Sequence, residues 1–275
     1  MRLDGRSILL TGATGGIGAA AAAACVRAGA RVLLVARHPE RLEALARTLS
    51  AQPGHVAALA ADVVRSQDRA RIRDIAIAQR VDTVVHNAAT PCFGALDEID
   101  EARIGEVLAT NLVAPMQLTR LLLPWLRTLP RASVLAVGST LGALGMPGYT
   151  VYSASKFGLR GFTESLRREL AGSTIAVQYL APRTTRTAFN SARVDDYNAA
   201  TGAHVDAPED VARALVRMLA RGTRERHMGL PEAFAARANG LLPRLLDPAF
   251  RRHRESLEAG APARPLPSLP LRSPR

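Results

Sequence analysis

The chain has 275 residues, of which 48% are hydrophobic and 4% aromatic, and its formal net charge at neutral pH is +12. This length fits one large α/β domain with a sizeable core, and no apolar run reaches the roughly eighteen residues that a membrane-spanning helix needs. The arginines are spread along the chain and aromatic side chains are scarce, so the composition argues against a nucleic-acid-binding protein.

The amino-terminal residues and the cysteines indicate a cellular compartment. The first ten residues are a short polar lead into a strand and lack the apolar core of a signal peptide. Cys25 and Cys92 have no metal-like spacing, and two isolated cysteines fit a reducing environment. We therefore expect a cytoplasmic protein without a metal site.

Strand and helix patterns alternate along most of the chain. The apolar runs predict strands at 7–11, 31–36, 55–61, 82–86, 132–138 and 174–181, with a short seventh at 226–230. Helices are predicted from Ile17, from near Pro39, at 67–79, at 101–128, up to about Ala171 and from Pro208 to about Arg221. This alternation is typical of a Rossmann-type, doubly wound parallel α/β sheet, in which ligands lie at the carboxyl ends of the strands.

A glycine-rich turn, T-G-A-T-G-G-I-G, joins the first strand to the first helix. Gly12, Gly16 and Gly18 allow the backbone to approach a ligand closely, and the free N–H groups of the helix start favour an anion. The turn therefore predicts a pyrophosphate site.

The second strand ends at Ala36 and Arg37. An acidic residue here would bind a ribose 2′-hydroxyl, whereas an arginine accommodates a 2′-phosphate. We therefore expect NADP(H) rather than NAD(H).

Polar residues follow the next two strands. Asp62 is placed to meet an adenine, and the turn at Asn87 to meet the middle of a dinucleotide, because both follow the carboxyl end of a strand. Asn111 lies within the predicted helix 101–128, where a buried asparagine is more often a structural bridge than a catalytic group.

The segment from Ser139 to Lys156 carries the candidate chemistry. Tyr152 and Lys156 are four residues apart and project from one helix face, and Ser139 ends the fifth strand. A phenol, an ammonium and a hydroxyl together form a proton-donating site for a carbonyl oxygen, and the ammonium should lower the pKa of the tyrosine. Lys156 is the only lysine in the chain, and the bulkier, planar arginine would replace it poorly.

The alternation loosens after Pro182. Residues 183–205 have no strong period and are expected to form a lid over a substrate. Residues 231–259 are predicted to be an amphipathic helical extension, and 260–275, rich in Pro and Arg, a disordered tail. The extension either packs against its own domain, covers the active-site mouth, pairs subunits or lies on an anionic membrane surface.

These motifs, in this order, resemble the short-chain dehydrogenase/reductase family over about residues 5–230, with 1–230 as a single domain. The turn at 11–18 is similar to the family's T-G-x-x-x-G-x-G, and H-N-A-A at 86–89 is a variant of its N-N-A-G. Asn111, Ser139, Tyr152 and Lys156 match its catalytic tetrad.

The resemblance implies roles for these residues. Tyr152 would be the general acid in reduction and the base in oxidation, Ser139 would bind the substrate oxygen, and Lys156 would hold the nicotinamide ribose. Asn111 would support a water that connects Lys156 to solvent. The implied cofactor-binding residues are Gly12, Thr14, Gly15, Gly16, Ile17, Gly18, Arg37, Asp62, Val63, Asn87, Ala88, Ala89, Tyr152, Lys156, Pro182, Thr185 and Thr187.

Two positions depart from the family pattern. The P-G after the sixth strand is Pro182-Arg183 here, and Arg183 either points outward or meets an anionic group of a substrate. Ala89 replaces the last glycine of N-N-A-G, which costs little where φ is negative.

The sequence thus predicts an NADPH-dependent enzyme that reduces a ketone to a secondary alcohol, on a lipid-like, acyl or polyketide-like substrate. The aromatic-poor lid and tail favour an aliphatic one. The alternatives are an NAD(P)-dependent alcohol dehydrogenase working in the oxidising direction and a non-catalytic nucleotide-sensing or scaffold protein. The resemblance favours a homodimer or homotetramer, and the Arg-rich extension adds a peripheral contact with the inner membrane surface as an expectation.

Overall fold

The computed structural model describes residues 2–50 and 56–259, and their strands form one parallel sheet. The strand order is β3-β2-β1-β4-β5-β6-β7. The strands are β1 (Ser7–Thr11), β2 (Arg31–Ala36), β3 (Val56–Ala60), β4 (Thr83–His86), β5 (Ala132–Val137), β6 (Ile175–Ala181) and β7 (Glu225–His227). The predicted doubly wound α/β fold is confirmed.

Helices connect the strands and continue past the last one. They are α1 (Gly16–Arg27), α2 (Pro39–Ser50), α3 (Ser66–Ala78), α4 (Glu101–Leu108), α5 (Ala114–Leu126), α6 (Thr150–Glu169), α7 (Ala192–Thr201), α8 (Pro208–Arg221), α9 (Leu230–Leu241), α10 (Pro243–Leu246) and α11 (Arg251–Ala259).

Both faces of the sheet are covered by helices. Side chains of α1, α2 and α8 form one buried apolar cluster with the sheet, and side chains of α3, α5 and α6 form the other. Strands buried on both faces read as continuous apolar runs, which explains sequences such as Ser7–Thr11. Ala21 and Ala22 are fully buried in α1, because small side chains let this helix pack closely against α8.

The strand order reverses between β1 and β4: strands before β4 in the chain extend the sheet to one side, and strands from β4 onward extend it to the other. β1 pairs with β2 on one side and with β4 on the other, so Leu10 lies between Leu34 and Val85. In open α/β sheets the crevice at this switch point, beyond the carboxyl ends of the strands, is where ligands bind.

The predicted helix 101–128 is interrupted by a π-helical turn. α4 and α5 are joined by Ala109–Val113, in which the backbone contains one wide turn around Asn111. Such turns occur frequently at functional sites and could not be read from a 3.6-residue period.

The segment 183–205 is more regular than predicted, because it contains α7. The Ser191 side chain accepts a hydrogen bond from the Val194 N–H at the start of α7, and Gly202 ends it in the left-handed conformation. These two capping signals were present in the sequence, although the apolar period was too weak to reveal the helix. His55 of the predicted third strand and the whole predicted tail 260–275 lie outside the described residues.

Hydrogen bonds from two helices attach the carboxy-terminal extension to the domain. Asn239 of α9 donates a hydrogen bond to the Ala143 carbonyl at 2.9 Å, and His253 of α11 hydrogen-bonds the Tyr197 hydroxyl at 2.8 Å. Within the described residues no helix is both long and apolar enough to cross a membrane.

Candidate active site

The sheet's carboxyl edge opens into a cleft of about 780 Å³. The loops after each of the strands β1 to β6 line it, together with residues of α6, α7 and α11. With one exception, every predicted site residue lines this cleft. The exception is Asn111.

Gly12 and Gly18 shape the glycine-rich turn because side chains would not fit there. Gly12 has a φ of +66°, and a Cβ on it would lie 2.7 Å from the Ala88 Cα. A Cβ on Gly18 would overlap the Gly12 carbonyl oxygen. The Asn87 amide fixes the same turn by donating to the carbonyls of Thr11 and Gly12, both at 3.1 Å.

The start of α1 is chemically suited to an anion. Gly15 precedes the helix without a side-chain cap, and the first turn contains no acidic residue. The first N–H groups of a helix have no intrahelical partner, and the helix dipole places partial positive charge there. Since Gly15, Gly16 and Ile17 line the cleft, this turn fits the pyrophosphate of a dinucleotide.

Basic side chains surround the end of β2. Arg37 lines the cleft as predicted, and His38 and Arg41 line it as well. Sequence analysis missed His38 and Arg41, although Arg41 follows Arg37 by four residues. Within the described part of the chain neither arginine forms an ion pair, so both guanidinium groups are available to an anionic ligand.

Asp62 and Val63 line the cleft beyond β3. The Asp62 carboxylate accepts a hydrogen bond from the Val64 N–H at 3.0 Å, and its own N–H donates to Asp68 at 2.9 Å. These bonds hold the turn in place and leave further lone pairs of the Asp62 carboxylate for a ligand.

Tyr152 and Lys156 project from α6 into the cleft. Lys156 is 2% exposed, and its Nζ donates to the Val137 carbonyl at 3.1 Å. The same nitrogen lies 5.7 Å from the centre of the Tyr152 ring. An ammonium has three donors, so Lys156 retains N–H groups for the hydroxyls of a bound nucleotide.

Burial sets the protonation of both groups. It lowers the pKa of Lys156 to about 8 and raises the pKa of Tyr152 above its usual value, while hydrogen bonding with Ser139 lowers the pKa of Tyr152 by less. The expected net lowering of the Tyr152 pKa is therefore wrong, because the loss of hydration of the phenol outweighs the effects that favour the phenolate. Tyr152 is a neutral phenol at physiological pH.

Ser139 is held by its own turn and by a residue that sequence analysis missed. Its Oγ accepts from the Leu141 N–H at 3.1 Å, which leaves the hydroxyl hydrogen to donate to Tyr152 or to a substrate oxygen. The buried Tyr179 phenol lies against the Ser139 backbone, 3.4 Å from its nitrogen and 3.3 Å from its oxygen. Gly138 and Gly142 make room for this ring, since a Cβ on either would overlap the Tyr179 hydroxyl.

Asn111 lies behind the cleft in the π-helical turn and is fully buried. Its carbonyl accepts from the Thr90 N–H at 2.7 Å, and its amide donates to the Thr90 carbonyl and to Ser155 Oγ, both at 3.1 Å. These bonds tie the helix α4–α5 to the loop after β4 and to α6. The part of Asn111 in a proton relay stays a prediction.

Arg183 neither points outward nor offers a free charge to a substrate, so both expectations for it are wrong. Two of its nitrogens bind Asp206 at 2.8 and 2.9 Å, and a third lies 3.3 Å from Glu232 of α9. The guanidinium thus joins the loop after β6, the segment before α8 and the extension. Pro182, Thr185 and Thr187 line the cleft nearby.

The remaining wall of the cleft is aromatic. Phe93, Tyr149, Phe189, Tyr197 and Phe250 line it around Tyr152. The expectation of an aromatic-poor lid and tail is therefore wrong for the cleft wall, because the lid contributes Phe189 and Tyr197 to it and the extension contributes Phe250. The sequence pattern does not predict this aromatic cluster, since these rings are brought together only by tertiary contacts.

Known proteins similar to this chain are short-chain dehydrogenases and ketoacyl reductases. A model of the short chain dehydrogenase family matches residues 6–198. The ketoacyl reductase HetN of a Nostoc species is 31% identical over 227 residues, which are 81% of this chain and 78% of that protein. The 3-oxoacyl-(acyl-carrier-protein) reductase FabG of Thermotoga maritima is 33% identical over 187 residues, or 66% of this chain and 75% of that protein.

Solved structures share the fold. A short-chain dehydrogenase/reductase from Burkholderia phymatum in complex with NAD superposes with a TM-score of 0.80 at 21% identity, over 89% of this chain and 96% of the other. A short-chain dehydrogenase from Sphingobium yanoikuyae in complex with NADPH superposes with a TM-score of 0.74 at 25% identity, over 88% and 96%.

Proposed function

The chain belongs to the short-chain dehydrogenase/reductase family, and we propose that it reduces a ketone to a secondary alcohol with NADPH. Members of this family are NAD(P)-dependent oxidoreductases acting on CH–OH and C=O groups, and this chain is one of them. The observation that carries the proposal is the neutral Tyr152 phenol in a cleft that also presents Ser139, Lys156 and the glycine-rich turn.

The preference for NADPH over NADH rests on the charges beyond β2. Arg37 and Arg41 line the cleft without ion-pair partners among the described residues, and the strand ends at Ala36 where an acid would select a free 2′-hydroxyl. A structural relative binds NADPH and another binds NAD, so the family alone leaves both open. Fluorescence titration with the two nucleotides tests the preference, and tighter NADH binding would contradict it.

Different residues of the cleft bind the nucleotide, donate the proton and position the substrate oxygen. The glycine-rich turn, Arg37 and Lys156 would hold NADPH in the cleft, and the bound nucleotide would supply the hydride equivalent for the reduction. Tyr152 donates its phenolic proton to the carbonyl oxygen, because burial keeps that proton on the phenol at working pH. The hydroxyl hydrogen of Ser139 bonds the same oxygen and fixes its position.

Lys156 supports this proton transfer. A pKa of about 8 leaves it mostly charged at neutral pH, and a buried ammonium near the ring stabilises the phenolate as the proton leaves. Its remaining N–H groups would hold the nicotinamide ribose. Asn111 keeps the π-helical turn in register with α6, and its predicted water relay would return a proton to this centre.

Two relatives are named for the reduction of ketoacyl groups, which supports ketone reduction as the working direction. A lipid-like, acyl or polyketide-like skeleton fits the apolar wall of the cleft. Replacement of Tyr152 by Phe should abolish turnover of any such ketone and leave nucleotide binding nearly intact. Retained turnover would overturn the mechanism.

We further propose a homodimer, which a second surface supports. Val113 and Met116 on the α4–α5 helix and Phe157 on α6 are about 40% exposed, although all three are large and apolar. We expect these faces to pair between copies, because large apolar side chains at the surface are typical of subunit contacts. Light scattering should give about twice the 29.3 kDa chain mass, and Met116→Glu should lower it. A monomeric wild type would contradict the pairing.

The outer face of α9 fits an anionic membrane surface of the cytoplasm. Leu230, Phe234 and Leu241 are 89%, 74% and 81% exposed along one side of this helix. Arg237 is exposed on the same helix, and the net charge of +12 adds attraction to anionic lipid. The protein should sediment with vesicles containing phosphatidylglycerol, and Phe234→Asp should release it. Equal recovery of both proteins in the supernatant would exclude the contact.

A further inference from the structure

The rings of this aromatic-poor chain are concentrated at one place. Of six phenylalanines and four tyrosines, three of each line the cleft. Their centroids form a connected series: Tyr152 lies 6.2 Å from Tyr149, Tyr149 lies 4.9 Å from Phe93, and Phe93 lies 4.9 Å from Tyr197. Random placement of so few rings would not put most of them on one wall.

Two of these rings flank the proton donor. Tyr149 and Phe189 lie 6.2 and 6.1 Å from the Tyr152 ring, and each is inclined to it by about 60°. A carbonyl oxygen that takes the Tyr152 proton therefore places a substituent of its carbonyl carbon near both rings. Phe189 is 37% exposed in the lid, so part of its ring surface has no partner within the described chain.

The charges at this end of the cleft are compensated. Arg183 is paired with Asp206 and Glu232, and His204 also lies beside Asp206. Burial and the neighbouring Arg252 lower the pKa of His253, which is therefore neutral at physiological pH. Of the described arginines that line the cleft, the two without an ion pair, Arg37 and Arg41, lie at the opposite end, beyond β2. Lys156 is the remaining cation beside Tyr152, but its ammonium is 2% exposed and donates to the Val137 carbonyl, so among the described residues no exposed, unpaired cation lines this end of the cleft.

The extension contributes to this uncharged wall. Tyr197 of α7 hydrogen-bonds the Pro147 carbonyl at 3.1 Å and His253 at 2.8 Å, which brings α11 to the cleft. Phe250 then packs at 5.8 Å from the His253 ring. The substrate end is thus lined by rings from four separate segments of the chain.

We propose that the preferred ketone is uncharged and carries an aromatic ring close to its carbonyl, and that this ring binds between Tyr149 and Phe189. The inference rests on the proposed function and narrows its substrate class from aliphatic acyl chains to aryl-substituted ketones. Edge-to-face contacts between rings add roughly two- to twelvefold in affinity per pair beyond apolar burial, so two flanking rings distinguish an aromatic from a saturated substituent.

The test compares two ketones that differ only in this respect. 4-Phenylbutan-2-one and 4-cyclohexylbutan-2-one have similar size and equally unconjugated carbonyls, so intrinsic reactivity cancels. With NADPH, kcat/KM should favour the phenyl compound by about tenfold, mostly through KM. Phe189→Leu should reduce that preference to about threefold or less. Phe234→Leu on the outside of α9 is the matched control and should preserve it.

Tyr149→Leu gives a second measurement with the same expected loss of preference. A wild-type ratio near one, or a ratio that both cleft variants leave unchanged, would overturn the inference. Efficient reduction of an acetoacetyl thioester with no phenyl preference would refute the substrate class and leave ketone reduction standing. Binding of NADPH without reduction of any of these ketones would refute the proposed function itself.

Discussion

Replacing Arg37 and Arg41 is the sharpest perturbation of cofactor choice. Both side chains are exposed, line the cleft beyond β2 and have no ion-pair partner among the described residues. Their only expected anionic partner is the 2′-phosphate that distinguishes NADPH from NADH. Arg37→Ala and Arg41→Ala should therefore weaken NADPH and leave NADH almost unchanged.

The magnitude follows from the exposure of the two groups. A hydrogen bond to a charged group contributes about 1.5–3 kcal/mol, and solvent screening reduces this to about 1–2 kcal/mol for an exposed pair. We expect each substitution to weaken NADPH binding about five- to thirtyfold, and the double variant more. Because the contact is ionic and exposed, the discrimination should shrink as the salt concentration rises.

The assay is fluorescence titration of NADPH and NADH against the wild type, both single variants and Arg47→Ala. Arg47 is an exposed arginine of the same helix that does not line the cleft, so it controls for a general change in charge. Equal weakening of both nucleotides in Arg37→Ala, or an effect of Arg47→Ala of the same size, would refute the reasoning.

Three further outcomes are expected. Gly18→Ala should weaken either nucleotide by more than about tenfold, because its Cβ overlaps the Gly12 carbonyl, whereas Gly161→Ala on α6, with open space around it, should not. Tyr179→Phe keeps the ring but loses the hydroxyl near Ser139, so kcat should fall about three- to tenfold with nucleotide Kd unchanged; an unchanged kcat removes the positioning role. Lys156 has a lowered pKa in the folded state, so between about pH 8 and 10.5 the unfolded chain binds more protons than the folded chain. The free energy of unfolding in urea, taken as wild type minus Lys156→Met, should therefore rise with pH across that window. A difference that falls with pH would contradict the burial of Lys156.

Local signals predicted the strands, the glycine-rich turn and the Tyr152–Lys156 pair. Strands buried on both faces are continuous apolar runs, so 7–11 and 31–36 matched β1 and β2. The four-residue spacing on one helix face placed Tyr152 and Lys156 in the cleft together. These features depend on neighbours in sequence and were therefore accessible from it.

Features that depend on distant segments were not accessible. The role of Arg183 was misjudged, because its partners Asp206 and Glu232 come from other parts of the chain. Tyr179 reads as an ordinary strand residue, and only the fold places its hydroxyl on the Ser139 backbone. The lowered pKa expected for Tyr152 was wrong, since the sequence reveals the nearby ammonium but not the depth of burial.

The aromatic wall shows the same limit. Composition gave 4% aromatic residues and an aliphatic substrate, whereas the fold gathers Phe93, Tyr149 and Phe189 around Tyr152. Average composition describes the whole surface and core, and a binding site uses only a few residues. The substrate class that we propose therefore rests on where these rings lie and not on how many the chain contains.

The central claim is that Tyr152 delivers the proton in an NADPH-dependent ketone reduction. The most direct measurement is NADPH oxidation with 4-phenylbutan-2-one by wild type and by Tyr152→Phe, alongside the NADPH Kd of each. General acid catalysis contributes about 10²–10⁴-fold, so the variant should lose at least about 100-fold in kcat while its Kd stays within about threefold. A variant that oxidises NADPH with this ketone at a rate close to that of the wild type would contradict the account.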